Sequence, residues 1–417
     1  MNHVIIGNGP AGVIAAETLR KADPAAAIRL VGDEPVPPYS RMAIPYLLMG
    51  RIGEEGTYLR KEAGHFERSG IELVQGRAAS IDAPAGRVKM ADGRSLDYDR
   101  LLLATGARPV RLDIPGIDLP GVHPCWTLED ARAVMALAKP GARVVQMGAG
   151  FIGCIILEAL AERGVQLAVV EMGNRMVPRM MTEKAGGLIK RWCEAKGVRV
   201  LTSTKVEAIA PSSKGSALSV KLSSGEVLPA DLVISATGVR PALELASTAG
   251  LTTNVGIRVD KRMRTSDARI YAAGDAAQAE ELYTHNYVVN AVQPNAAEQA
   301  RVAALNMAGR DVQSPGSFAL NVLDTLGLIA SSFGQWQGVA NGEGVEHVDE
   351  ANYRYVGLQF DDADRLVGAT TLGLTEHVGV LRGLIQSGRP LKSWKQALRK
   401  DPLELMKAYL ATVQAAA

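Results

Sequence analysis

One sequence pattern occurs twice in this chain, and the repetition constrains its fold more than any other feature. A short apolar run at residues 3–6 leads into a glycine-rich turn at residues 7–12, and a helical pattern and a second apolar strand follow. Residues 143–146 lead into a second such turn at residues 148–153, again followed by a helix and a strand. Each copy closes on the sequence Ala-Thr-Gly-x-Arg-Pro, at residues 104–109 and 236–241. The repetition predicts a duplicated α/β unit.

Both turns read Gly-x-Gly-x-x-Gly between a strand and a helix, which is the context in which this motif binds a dinucleotide. The first glycine makes the tight turn, the second lets the backbone approach a pyrophosphate, and the third lets the helix pack on the strand. Free N–H groups and the dipole at the helix amino terminus favour the anion. The predicted contacts are Gly7, Gly9, Pro10, Ala11 and Gly12 in the first copy, and Gly148, Gly150, Phe151, Ile152 and Gly153 in the second.

The acid expected about 20 residues after such a turn differs between the copies. The second copy ends its second strand at Glu171, whose carboxylate can bind both ribose hydroxyls of NAD and repel the 2′-phosphate of NADP. NADH is therefore favoured over NADPH, although a solvated strand-end glutamate is the alternative and Arg175 could accept a phosphate. The first copy has Gly32 at this position, and either Asp33 or Glu34 is expected to reach the adenosine ribose.

A third motif connects the two copies to a known family. Residues 270–275 read Ile-Tyr-Ala-Ala-Gly-Asp, and a strand that ends in Gly-Asp can place its acid against the ribityl chain of a flavin. The order of these motifs resembles that of the flavoproteins related to glutathione reductase, which have two dinucleotide-binding domains. With the Pro-Pro-Tyr-Ser-Arg sequence at residues 37–41, it is most similar to the branch of ferredoxin and rubredoxin reductases, NADH oxidases and the flavin portion of NADH-dependent nitrite reductases.

This resemblance implies an α/β fold with two Rossmann-like domains and a C-terminal α/β domain that ends in a helix. Its boundaries would place an FAD-binding domain at residues 1–113 and 243–316. An NAD-binding domain would occupy residues 114–242, and a C-terminal interface or partner-docking domain residues 317–417. The implied cofactors are FAD and NAD(H).

The resemblance also assigns further cofactor contacts. The helix that opens at residues 293–299, with Pro294 in its first turn, would point its amino terminus at the flavin pyrimidine edge, although a plain surface helix is the alternative. The remaining contacts would be Arg41, Ala79, Thr105, Gly106, Gly274 and Asp275 for FAD and Gly238 for NAD.

Departures from the family pattern exclude some of the reactions that members of this superfamily catalyse. The disulfide reductases and peroxidases of this superfamily need a cysteine early in the FAD domain, and this chain has none before Cys125. The Lys/Glu pair that ferredoxin reductases place near the flavin is replaced by Pro45 and Ile155, so no catalytic residue is identified beyond the flavin itself. The three cysteines and six histidines are scattered, which predicts no disulfide scaffold and no metal site.

These features predict an FAD-dependent NADH:acceptor oxidoreductase. Hydride would pass between NADH and flavin N5, and electrons would then pass between the flavin and an iron–sulfur protein or subunit, in either direction. The alternatives are an FAD- and NAD-binding sensor or scaffold similar to the apoptosis-inducing flavoproteins, and a free-standing NADH oxidase. The near-balanced charge of +2 and the lack of a long apolar run favour a cytoplasmic protein that binds neither nucleic acid nor membrane, with its oligomeric state left open.

A basic segment near the C-terminus is the candidate partner surface. Residues 382–407 contain seven basic and two acidic side chains, and docking is predicted through Lys392, Lys395, Arg399 and Lys400. Asp401 is predicted to cap a terminal helix that carries one apolar stripe, formed by Leu403, Met406, Leu410 and Val413. The alternative is that this stripe packs on the chain's own C-terminal domain.

Overall fold

A computed structural model of the chain describes residues 1–212 and 215–414. They form two compact units, one of residues 1–108 with 239–318 and the other of residues 109–238 with 319 onwards. The predicted separation of residues 114–242 from 317–417 as different domains therefore stays a prediction. Among the described residues, no helix is both long and apolar enough to cross a membrane.

The first stretch of the chain builds most of the first unit. Helices separate its strands up to residue 75, and five short strands follow one another after that. The elements are β1 (Asn2–Ile6), α1 (Pro10–Ala22), β2 (Ala27–Gly32), α2 (Ile44–Leu48), α3 (His65–Arg68), β3 (Ile71–Gln75), β4 (Ala78–Asp82), β5 (Arg87–Met90), β6 (Ser95–Asp97), β7 (Arg100–Leu103) and β8 (Ala107–Pro109).

The next stretch repeats this pattern in the second unit. Its elements are β9 (Val122–Pro124), α4 (Leu128–Leu137), β10 (Arg143–Met147), α5 (Phe151–Glu162), β11 (Gln166–Val170), α6 (Glu183–Ala195), β12 (Arg199–Leu201), β13 (Val206–Pro211), β14 (Leu218–Leu222), β15 (Val227–Ala230) and β16 (Leu232–Ser235).

The chain then returns to the first unit before it ends in the second. The return comprises β17 (Val239–Pro241), α7 (Glu244–Thr248), β18 (Ile257–Arg258), β19 (Ile270–Ala272), β20 (Ala277–Glu280), β21 (Tyr287–Val288) and α8 (Gln293–Met307). The last stretch comprises β22 (Leu320–Thr325), β23 (Leu328–Gly334), β24 (Glu343–Asp349), β25 (Arg354–Phe360), β26 (Leu366–Leu372), α9 (Val378–Ser387), α10 (Ser393–Lys400) and α11 (Leu405–Gln414).

The sheet orders confirm the duplication. The first unit has a parallel sheet in the order β19-β7-β1-β2-β3, and the second has one in the order β12-β11-β10-β16-β9. In both, the strand before the glycine-rich turn lies at the centre, between the strand that follows the helix and the strand that ends in Ala-Thr-Gly. Each copy also has a three-stranded antiparallel sheet, β4-β5-β6 or β13-β14-β15. The apolar central strands are buried on both faces, as parallel sheets require.

The last stretch adds an antiparallel sheet in the order β22-β23-β26-β25-β24, with helices α9 to α11 after it. This is the predicted C-terminal α/β portion. Its terminal helix, however, begins at Leu405 and not directly after Asp401. Asp401 instead accepts a bond from the N–H of Leu403 at 2.9 Å in the turn between α10 and α11, so its carboxylate organises that turn.

Candidate functional site

Two glycine-rich turns, one in each unit, form the candidate binding sites. In the first, Gly7 has a φ of +108°, and a Cβ on it would lie 2.0 Å from the carbonyl oxygen of Ala104. A Cβ on Gly12 would lie 1.8 Å from the carbonyl oxygen of Gly7. Gly9 is different, because a Cβ on it would meet no described atom within 4 Å. The outer glycines are therefore required by close packing, whereas the middle glycine leaves open space where a ligand can approach.

The second turn has the same geometry. Gly148 has a φ of +100°, and its Cβ would lie 2.4 Å from the carbonyl oxygen of Ala236. A Cβ on Gly153 would lie 2.4 Å from the carbonyl oxygen of Gly148, and one on Gly150 would again meet nothing described within 4 Å. Each turn therefore packs against the end of the strand that precedes its Thr-Gly sequence.

The helices that follow these turns begin without a side-chain cap. Gly9 is the N-cap of α1 and Gly150 the N-cap of α5, with nearly equal φ and ψ values of −73° and −172°, and −75° and −171°. Within the described residues, neither helix has a side-chain capping hydrogen bond at its first N–H groups. Uncapped N–H groups and the positive end of the helix dipole are a binding site for an anion such as a pyrophosphate. Pro10, Ala11, Phe151 and Ile152 are the first residues of these two helices.

The end of the second strand differs between the two copies. In the first copy, the side-chain amide of Asn8 lies where a side chain on Gly32 would begin, with its Nδ2 2.1 Å from a Cβ built there. In the second copy, the residue at the Asn8 position is Ala149, and Glu171 occupies the strand end. Its Oε2 accepts a bond from the N–H of Ala149 at 2.7 Å. The space beside the strand end is thus filled by the Asn8 side chain in the first copy and by the Glu171 carboxylate in the second.

Glu171 is held firmly, and Arg175 is occupied elsewhere. The second carboxylate oxygen of Glu171 accepts from the N–H of Gly173 at 2.7 Å. The Arg175 guanidinium donates to the carbonyl oxygens of Met181 and Pro178, at 2.8 and 3.2 Å. These bonds hold Arg175 in its own loop, so it is a poor candidate for binding a 2′-phosphate.

The two acids after β2 have different surroundings. Asp33 is exposed. Glu34 is half-buried and its carboxylate accepts from the hydroxyl of Tyr39 at 2.7 Å and from the guanidinium of Arg41 at 2.9 Å. Glu34 therefore ties the segment that contains Tyr39 and Arg41 to the end of β2.

The third motif lies beside the first turn. A Cβ on Gly274, whose φ is +77°, would lie 3.2 Å from that of Ala11 and 3.6 Å from that of Ala296, so this glycine packs against the starts of both α1 and α8. Burial raises the pKa of Asp275, and the charge of Arg41 lowers it in part. Within the described residues, no hydrogen-bond donor reaches the Asp275 carboxylate, which leaves it available to a hydroxyl-rich ligand. The sequence did not single out Gln299, whose Oε1 accepts from the N–H of Gly274 at 2.9 Å.

The remaining predicted contacts are spread around these elements. Thr105 and Gly106 follow β7, and the Thr105 hydroxyl donates to the carbonyl oxygen of Ala242 at 3.0 Å. Ala79 is exposed at an irregularity in β4, and Pro294 is exposed in the first turn of α8. Gly238 has a φ of +107° and open space around it. Pro45 and Ile155, which the sequence predicts at the positions of the family's Lys and Glu, are buried in α2 and placed within α5, respectively.

The cysteines are unsuited to thiol chemistry. Cys125, Cys154 and Cys193 are all free and buried. Burial raises the pKa of Cys125 and of Cys193 to about 12, and it raises that of Cys154 as well. A buried thiol that stays protonated is neither a nucleophile nor a redox centre at neutral pH.

Taken together, the glycine turns, the uncapped helix starts and the acids at Asp275 and Glu171 fit two dinucleotides, one in each unit. The profile of a protein family described as pyridine nucleotide-disulphide oxidoreductase matches residues 1–304. The chain is 31% identical over 404 residues to the NADH-dependent phenylglyoxylate dehydrogenase subunit epsilon of Aromatoleum evansii, which covers 96% of this chain and 95% of that protein.

Two further comparisons also find similarity to NAD-linked or redoxin-linked reductases. The chain is 34% identical to the ferredoxin–NAD(+) reductase component of the anthranilate 1,2-dioxygenase system of Burkholderia cepacia, with 92% of this chain and 94% of that protein covered. Among solved structures, the covalent putidaredoxin reductase–putidaredoxin complex matches with a TM-score of 0.89 and 28% identity, over 98% of each chain.

Proposed function

The chain belongs to the pyridine nucleotide-disulphide oxidoreductase family, and we propose that it carries electrons between NADH and an iron–sulfur protein or subunit. Within that family it is an FAD-dependent oxidoreductase that uses NAD(H). Bound FAD supplies the chemistry, because a flavin exchanges a hydride with a nicotinamide and single electrons with a metal centre. The chain's own residues bind and orient the two cofactors.

The absence of a usable thiol supports an external electron acceptor most directly. No cysteine precedes Cys125, and all three cysteines are buried with raised pKa values. Electrons from NADH therefore have no dithiol in this chain to reduce. They must leave towards a second redox molecule.

We assign FAD to the first unit and NAD(H) to the second. The turn at Gly7 to Gly12 and the start of α1 would bind the FAD pyrophosphate, and the Asp275 carboxylate would accept from the flavin side chain. The amino terminus of α8, where Pro294 lies, would favour negative charge on the reduced flavin by about 0.3–2 kcal/mol. In the second unit, the Glu171 carboxylate would bind the NAD ribose.

The basic segment at residues 382–407 is the proposed docking surface, but its cations are not equivalent. Lys395 is paired with Asp364 at 2.8 Å and lies 3.6 Å from Glu343, and Arg399 pairs with Glu343 at 2.7 Å. Lys392 and Lys400 are exposed. We therefore expect Lys392 and Lys400 to contribute most to partner attraction, and Lys395 and Arg399 to hold α10 in place.

The exposure of the apolar stripe also supports docking of a partner at this segment. Leu403, Met406 and Leu410 are 42%, 38% and 48% exposed, whereas Leu405 and Ala408 are buried on the opposite face of α11. The side chain of Val413 lies outside the described residues. Large apolar side chains that are exposed together, on α11 and in the turn before it, are typical of a protein–protein contact.

The function is tested by anaerobic stopped-flow absorbance on purified holoenzyme. NADH should reduce the flavin rapidly, and a [2Fe–2S] ferredoxin or a rubredoxin should reoxidise it much faster than oxygen does. Slow reoxidation by every acceptor, with a long-lived NADH complex, would support the sensor alternative. Fast reoxidation by oxygen alone would support the NADH oxidase alternative.

The docking surface is tested with the same assay at low salt. Charge steering changes association rates by about 10- to 1,000-fold and weakens as salt is added. Lys392→Ala with Lys400→Ala should slow electron transfer to the iron–sulfur protein and leave flavin reduction by NADH unchanged. The matched control replaces two other exposed lysines, Lys89 and Lys205. Equal rates for both double variants would contradict docking at this segment.

A further inference from the structure

The two acids that follow β2 are not interchangeable, and the difference lies in what surrounds Glu34. Its carboxylate is shared between the hydroxyl of Tyr39 and the guanidinium of Arg41, at 2.7 and 2.9 Å. We call Glu34, Tyr39 and Arg41 the clamp. Asp33, the preceding residue, has an exposed side chain that takes no part in it.

Within the clamp, Tyr39 is held in place by its burial and by backbone hydrogen bonds around it. Tyr39 is 7% exposed, and its backbone pairs with that of Tyr58 in an isolated antiparallel bridge. The N–H of Ser40 donates to the carbonyl oxygen of Thr57 at 3.0 Å, and that of Leu59 to Pro38 at 2.9 Å. Tyr39 is therefore anchored, and through Glu34 it restricts the position of Arg41.

Arg41 is bonded to Glu34, two residues after Gly32, and Gly32 packs against the Asn8 side chain of the first turn. Its charge acts on Asp275, where it opposes the rise in pKa that burial causes. Asp275 follows Gly274, which packs directly against Ala11 in the first turn of α1. The bond to Glu34 thus holds the guanidinium beside the end of β2, next to the turn whose uncapped helix N–H groups favour an anion.

We propose that Glu34 is a positioning residue for Arg41, and that Asp33 alone is the acid for the adenosine ribose. This inference rests on the proposed binding of FAD to the first unit. The Glu34 carboxylate would have to give up its bond to the Tyr39 or the Arg41 side chain to turn towards a ribose, whereas the exposed Asp33 side chain takes part in neither bond. A long arginine side chain loses less freedom on binding a phosphate if it is already held in place.

The experiment measures the dissociation constant of FAD for the apoprotein, from the quenching of FAD fluorescence. Arg41→Ala and Glu34→Ala should each weaken binding by about tenfold or more, as the loss of a charge-assisted hydrogen bond does. The double variant should bind no more weakly than Arg41→Ala alone, because Glu34 acts only through Arg41. Glu34→Gln keeps an acceptor oxygen and should retain most of the affinity.

Asp33→Ala is the matched control. Its loss of affinity should add to that of Arg41→Ala, since the two residues contact different parts of the ligand. Tyr39→Phe keeps the ion pair and should give a smaller loss than Glu34→Ala. Thermal melting of each apoprotein by circular dichroism checks that the variants remain folded, and Glu34→Gln and Tyr39→Phe still test the clamp if Glu34→Ala does not fold.

Three results would overturn the inference. Losses from Glu34→Ala and Arg41→Ala that add fully would make Glu34 a direct contact. Tighter FAD binding by Glu34→Ala would mean that its carboxylate competes with the phosphates. Unchanged affinity in Asp33→Ala would remove the ribose assignment. If the wild-type protein binds FAD and is reduced by NADH, any of these variant results contradicts the role of the clamp alone. If the wild-type protein binds no FAD, the proposed function is contradicted as well.

Discussion

The two glycine-rich turns share one backbone geometry but treat the acid of their site in opposite ways. In the first copy, Asn8 fills the space beside the end of β2, and Gly32 is the residue that fits there. In the second, Ala149 leaves that space open, and Glu171 enters it and accepts the N–H of Ala149 at 2.7 Å. The two copies therefore differ in which side chain occupies the space between the turn and the strand end.

The consequence is a difference in how each acid is held. Glu171 is fixed at its strand end by two backbone N–H groups. In the first copy the acids lie beyond the strand end, where Glu34 contacts Tyr39 and Arg41. The four predictions below test this comparison.

The largest effect is expected from the third glycine of the first turn. Gly12→Ala would place a methyl group 1.8 Å from the Gly7 carbonyl oxygen, a backbone atom that cannot move alone. We expect a loss of about 3 kcal/mol or more in the free energy of unfolding, with little FAD retained. Gly9→Ala, which has open space around it, should leave stability unchanged and weaken FAD binding only. Urea unfolding and the FAD content of the purified proteins measure both.

The second prediction concerns the acid of the second copy. Glu171→Ala should lower kcat/KM for NADH by about tenfold, because the ribose loses a charge-assisted hydrogen bond, and should improve the use of NADPH relative to NADH. Steady-state kinetics with both nucleotides give the ratio. Met172→Ala, a change at the neighbouring residue, which is 68% exposed, is the control. A nucleotide preference that Glu171→Ala leaves unchanged would mean that the glutamate is merely a solvated strand end.

The third prediction concerns variants in which the first copy carries the strand-end glutamate and the turn alanine of the second copy. Gly32→Glu alone should destabilise the protein by about 1–2 kcal/mol, because the new side chain meets the Asn8 amide. Adding Asn8→Ala should recover most of this loss, since it recreates the space that Ala149 leaves in the second copy. Urea unfolding of the two single variants and the double variant forms a double-mutant cycle. Purely additive effects would show that Asn8 does not exclude the acid.

The smallest expected effect is a pH dependence of stability that comes from β1, the central strand of the first sheet, and has no counterpart in β10. His3 in β1 is fully buried, and the residue at its position in β10 is Val144. Burial lowers the pKa of His3 more than the nearby carboxylate of Asp23 raises it. The unfolded chain therefore takes up this proton more readily, and stability present above about pH 6.5 is lost as the pH falls below that value.

His3→Val should remove this contribution. Its unfolding free energy in urea should decline less between pH 8 and pH 5 than that of the wild type. Equal declines would show that His3 does not contribute to acid sensitivity.

Much of the site could be predicted because it depends on local backbone geometry. A glycine such as Gly7, with positive φ and a carbonyl oxygen against its α-carbon, has no substitute, so the motif is visible in the sequence. The two parallel sheets followed from the repeated pattern. The start of the last helix was placed too early, because the Asp401 side chain can organise a turn as readily as it caps a helix.

The roles of individual polar and charged side chains could not be predicted from sequence, because their partners lie far away along the chain. Lys395 and Lys400 look alike in a basic segment, yet Lys395 lies against Asp364, a residue distant in sequence, and Lys400 is exposed. Likewise, Gln299 reaches Gly274 only because α8 packs beside the third motif.

The sequence by itself determined the duplicated fold and predicted two dinucleotide sites and no thiol chemistry, because these depend on residue types at short fixed spacings. Only the tertiary structure decided that the Asn8 side chain fills the space beside Gly32, that Glu34 is tied to Tyr39 and Arg41, and that Met406 and Leu410 of α11 face outwards. Each of these depends on which side chains meet in space. Such contacts join residues that no local spacing relates, and they form only when the strands and helices pack.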